Sequence, residues 1–116
     1  MIEDELIELL STFGYPVFRQ GSLTETDRYP DTFFTFWNNS EYENSAYDND
    51  TLNVVYNYDV NVYSNDPATT YSLLREAREL VCGNGFKCLD RGHDVGSDEN
   101  THTGRGMNVI YLNNEN

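Results

Sequence analysis

Basic residues are scarce in this sequence. Seven Lys and Arg stand against twenty Asp and Glu in 116 residues, a formal net charge of −13. A nonspecific grip on DNA needs clustered cations to neutralise phosphates, so this balance argues against one. The bases also read as dispersed: Arg19 and Arg28 near the N-terminus, Arg75 and Arg78 on a helix, Lys87 and Arg91 on a strand, Arg105 in a loop. Cysteine is nearly absent. Cys82 and Cys88 are not spaced CxxC, and no second pair exists to complete a zinc site. With a reducing compartment expected, both are read as free thiols, partly buried as small apolar residues often are. No run approaches the roughly 18 apolar residues of a membrane span. The opening Met1-Ile2-Glu3-Asp4-Glu5 has acids where a secretory signal carries Lys or Arg. The sequons at Asn38 and Asn49 are therefore expected to be accidental.

Chemical motifs are missing as well. There is no GxSxG elbow, P-loop or HExxH helix. The acidic stretches 41–50 and 94–99 lack the spacing of a calcium loop. His93, Asp94, Asp98, Glu99 and His102 fall close together but match no zinc pattern, and a solvated acidic loop is expected there. A Cys–His pair formed by Cys82 or Cys88 with His93 is weak evidence of a nucleophile. No enzyme, cofactor or metal is expected.

What is present suits a packed core. Apolar residues make up 38% and aromatics 14%, too much for disorder despite the charge. One domain spanning 1–116 is expected. Ile2, Leu6, Leu9, Leu10 and Phe13 recur at helical spacing over 2–13, and Gly14 with Pro16 should stop that helix. Short strands are predicted at 16–20 and 33–37, with polar loops at 21–30 and 38–51. Over 52–63, Leu52, Val54, Tyr56, Tyr58, Val60 and Val62 alternate with Asn53, Val55, Asn57, Asp59, Asn61 and Tyr63, so one face is buried and the other wet. Asp66 and Pro67 have the chemistry of an N-cap and first helical residue, and Gly83 ends that second helix. A strand over 86–91, a loop over 92–106 and a strand over 107–112 complete the chain. The fold class is α+β: an antiparallel or mixed sheet with two main helices on one face.

Tyr42, Tyr47, Tyr63 and Tyr71 sit among polar residues, where a ring with a polar tip favours an interaction surface. The edge of the sheet is the natural place for another subunit to add.

The order of elements resembles the tail-completion, or tail terminator, proteins of long-tailed bacteriophages. The resemblance rests on the N-terminal amphipathic helix, Tyr15-Pro16-Val17-Phe18-Arg19 and Asp31-Thr32-Phe33-Phe34-Thr35-Phe36. It continues through the Val/Tyr strand 52–63, the Asp66-Pro67 helix and Gly104-Arg105-Gly106 before the last strand, and it covers most of the chain. It implies a structural virion protein, assembled in the bacterial cytoplasm, that forms a ring, usually six-fold, on the head-proximal end of the tail tube. Its partners would be copies of itself, the tube protein and the head connector, with DNA only as passing cargo and no membrane. An acidic lumen would let DNA slide without holding it. The candidate subunit interface is Arg75, Arg78, Lys87, Arg91, Tyr63 and Tyr71. The candidate partner-contacting loops carry Tyr42, Tyr47, Asp48, Asp50, Asp94, Asp98, Glu99 and Arg105. The alternative reading is an acidic DNA mimic that occupies a DNA-binding enzyme or regulator.

Overall fold

A computed structural model describes residues 2–20, 29–43 and 53–114. Helix α1 (Ile2–Ser11) buries Leu6 and Leu10 and places Glu3, Asp4 and Glu5 in its first turn, where the helix dipole favours negative charge. Gly14 closes it in the left-handed conformation, its N–H donating to the Ser11 carbonyl at 3.1 Å. Strand β1 (Val17–Arg19) then runs parallel to β2 (Thr32–Glu43), and β2 pairs antiparallel with β3 (Asn53–Ser64). Helix α2 (Pro67–Cys82) starts as the sequence indicates: the Asp66 carboxylate accepts from the Ala68 N–H at 3.1 Å, and Pro67 takes the first position. Strands β4 (Lys87–Cys88), β5 (His93–Val95) and β6 (Thr103–Asn114) follow.

The sheet is mixed and six-stranded, in the order β1-β2-β3-β6-β4, with β5 sharing the outer edge of β6. Both helices lie on one face. Leu6, Leu10, Leu73, Leu74, Ala77 and Val81 close over Phe34, Phe36, Tyr58, Val60, Val62, Met107 and Val109. The fold is therefore α+β, and alternation along β3 puts Tyr58, Val60 and Val62 in the core as expected. Among the described residues, no helix is long and apolar enough to cross a membrane.

Four expectations are corrected. First, residues 38–43 continue β2 rather than starting a loop, because β3 supplies ladder partners out to Glu43↔Val54; a bulge between Asn38 and Ser40 absorbs the irregularity. Second, the stretch read as a loop over 92–106 contains β5 and the first third of β6. Third, the face of β3 away from the helices is not uniformly wet. Tyr63 and Asn61 are buried there beside Phe33 of β2, while Trp37 of β2 remains half exposed. Gly104 and Gly106 make that covering close: a Cβ at Gly106 would collide with Asn61 Oδ1, and one at Gly104 would approach the Tyr63 ring to 2.7 Å. Fourth, Cys82 and Cys88 are joined in a disulfide. The Gly83–Gly85 turn folds the chain back until their Cα atoms are 5.9 Å apart, within bridging range. Tyr47, Asp48, Asp50 and Arg28, with most of the loop read over 21–30, lie outside the described residues.

Candidate functional site

The dispersed arginines converge. Arg75, Arg78, Arg91 and Arg105 line one cleft of about 280 Å³ together with Tyr71, Leu74 and Glu79. Four of the chain's seven basic residues thus meet on a molecule of net charge −13. The expectation that they would not is overturned, and the reason lies in three different elements. Tyr71, Arg75 and Arg78 share one side of α2 by their spacing of three and four residues. Arg105 belongs to β6 opposite Val62 and so points to the helical face. Arg91 comes from the turn between β4 and β5.

Asp90 anchors that turn. Its backbone carbonyl accepts from Arg78 Nε at 2.9 Å. Its carboxylate accepts from the Asn108 N–H at 3.3 Å and lies 3.0 Å from His93 Nδ1. Gly92 follows with φ +125°, and a Cβ there would lie 2.8 Å from Leu74 Cδ2 and 3.0 Å from Arg105 Nη2. This backbone thus passes close against Leu74 and Arg105, two residues that line the cleft. Arg105 is the best fixed of the four: Nη1 meets Asp94 Oδ1 at 2.8 Å, and the guanidinium sits 4.3 Å from the centre of the Tyr71 ring. Such an array can hold carboxylate or phosphate oxygens through paired N–H donors.

The remaining sequence candidates divide. Asp94 joins the rim of the cleft through Arg105. Lys87 does not join it, because it pairs with Ile110 on the far side of the sheet edge. Tyr63 is buried, stacked on Phe33 with ring centres 5.4 Å apart, and is withdrawn as a surface residue. Tyr42 and Tyr71 are more than half exposed, at 51% and 56%. The residues weighed for a metal are split: His93 turns to Asp90, while His102 Nε2 lies 2.8 Å from the Pro30 carbonyl oxygen.

A second, smaller concavity of about 150 Å³ lies on the opposite face, lined by Phe18, Gln20, Tyr29, Phe33, Thr35, Tyr63 and Asp98 among others. Phe33 is its hub, with Phe18 and Tyr29 edge-on at 5.8 and 5.6 Å. Burial raises the hydroxyl pKa of Tyr29, with Asp98 and Glu99 adding to the effect. Burial also raises that of Tyr63, against the hydrogen bond from Gln20. Both phenols stay protonated at neutral pH, so this pocket offers apolar contact and neutral donors rather than a nucleophile. Asp98 and Glu99 thus act on the aromatic cluster and do not line the arginine cleft.

No protein-family model matches the chain, and no curated protein matches it. The sequence carried a partial signal for the cleft in the Tyr71, Arg75 and Arg78 stripe. Nothing local revealed that Arg91 and Arg105 would complete it.

Proposed function

We infer that this chain is a structural virion protein that forms a ring on the head-proximal end of a phage tail tube and joins it to the head connector. The observation that carries the reading is an open sheet with two unlike edges. β1 covers β2 only from Phe34 to Phe36. Among the described residues, no strand pairs with the outer side of β2 from Trp37 to Glu43, nor with that of β6 at Tyr111 and Leu112. These stretches lie at the same end of the sheet, since Tyr42, Val55 and Leu112 align across it. Edges that no described strand covers, on opposite sides of the sheet, invite head-to-tail strand addition, and unlike edges that meet by rotation close a ring. Exposed Trp37, Tyr42 and Leu112 on the uncovered face add apolar area for a tube or connector protein. A DNA mimic needs acidic surface, and the arginine cleft gives the chain a charge polarity that such a role does not use.

Electron microscopy of the purified protein, alone and with tail tubes, tests the reading. Rings, or single caps on tube ends that halt further growth, are expected. A monomer at every concentration and salt, with no recruitment by tubes, would refute it.

A further inference from the structure

The helical layer carries opposite charge on its two flanks. The arginine cleft lies between α2 and the sheet edge formed by β4 and β5. Helix α1 lies on the other flank, against β1 and α2. Arg78 and Arg105 are held by the Asp90 carbonyl and by Asp94. Arg75 and Arg91 are exposed, and among the described residues neither guanidinium has a hydrogen bond or ion pair. Glu5 and Glu8 are likewise exposed on α1 and unpaired among the described residues. Their i, i+3 spacing sets the two carboxylates side by side.

We propose that the cleft receives the Glu5 and Glu8 carboxylates of a second copy of this chain. This contact rests on the head-to-tail ring inferred above. In such a repeat the β5 flank of one copy faces the β1 flank of the next, and each copy offers one cleft and one acidic helix. Arg75 and Arg91 supply fork-shaped donors to two carboxylates, while Arg105 is fixed over Tyr71 in the same lining. A compact pair of carboxylates suits the site better than a long polyanion. Duplex DNA would also have to lie along the rest of the surface, which is more negative than the whole once these arginines are set aside.

Charge reversal tests the contact by sedimentation velocity at physiological ionic strength. Arg75→Glu with Arg91→Glu should weaken self-association by about tenfold or more, as should Glu5→Lys with Glu8→Lys. The variant carrying all four changes should regain it, because the charges are complementary again. The regain also shows that the changes leave the fold intact; if a reversal unfolds the chain, Arg75→Gln with Arg91→Gln replaces it, with the same loss expected. Should the native protein associate and both double variants associate equally well, the contact is wrong while the ring stands. Should the native protein never associate and tube ends fail to recruit it, the ring falls and the contact with it. A labelled DNA duplex is the control: binding by the native protein that is lost in the arginine variant, with self-association unchanged, would assign the cleft to nucleic acid and overturn the proposal.

Discussion

A Cβ at Gly104 would lie 2.7 Å from Cε1 of Tyr63 and 2.8 Å from Cγ2 of Val95. The tyrosine ring cannot retreat, because Phe33 stacks behind it. Gly104→Ala is therefore expected to cost about 1–3 kcal/mol in a denaturant titration, as overpacking does. Tyr58 sets a second residue-scale expectation. It is 2% exposed on the helical face, and burial, with Glu3 and Glu41 nearby, pushes its hydroxyl up to about 12 against a partial offset from Arg19. The unfolded chain ionises this phenol first, so the folded state holds the extra proton above the ordinary value. Stability from this group is complete below about pH 10 and is lost as pH rises toward 12, by roughly 2–3 kcal/mol in all. Tyrosinate absorbance followed alongside thermal melts should show Tyr58 ionising late, near pH 12 in the folded state, and Tyr58→Phe should lessen the alkaline loss.

The disulfide ties the C-terminal end of α2 to β4, and β4 is a strand of only two residues. So short a strand has little ladder of its own to hold it beside β6. Closing a loop this small removes about 2 kcal/mol of chain entropy from the unfolded state. Reduction, or Cys82→Ser with Cys88→Ser, should lower stability by about that amount and increase hydrogen exchange over 83–90 more than in β2 or β3. Equal melting of reduced and oxidised protein would show that the staple adds nothing. The elements themselves were unevenly legible. Both helices and β3 announced themselves through periodicity and capping residues. β5 did not, since His93-Asp94-Val95 becomes a strand only because the edge of β6 lies beside it. The outer half of β2 was hidden for the same reason: Asn38, Asn39 and Ser40 are poor strand formers that β3 holds in register.

For the whole molecule, net charge and local charge oppose one another. Two copies at −13 repel over long range, whereas the proposed arginine–carboxylate contact acts within a few ångströms. Screening removes the long-range term first: the Debye length falls from about 30 Å at 0.01 M to about 8 Å at physiological salt and about 3 Å at 1 M. Self-association should therefore rise from low to physiological salt and fall again near molar salt. A steady rise throughout would mean that apolar surface, such as Trp37 and Leu112, outweighs the arginine contact. A steady fall would mean that net repulsion is negligible.

Composition and pattern by themselves determined the acidity, the α+β class, the two helices and the buried row Tyr58, Val60 and Val62. These follow from local periodicity and capping, which a short window contains. Tertiary structure decided the mixed pairing of the sheet, the burial of Asn61 and Tyr63, the disulfide and the arginine cleft. Each depends on residues far apart in the chain. Arg75 and Arg105 lie on different elements, and only the packing of α2 across β6 makes their charges a single field.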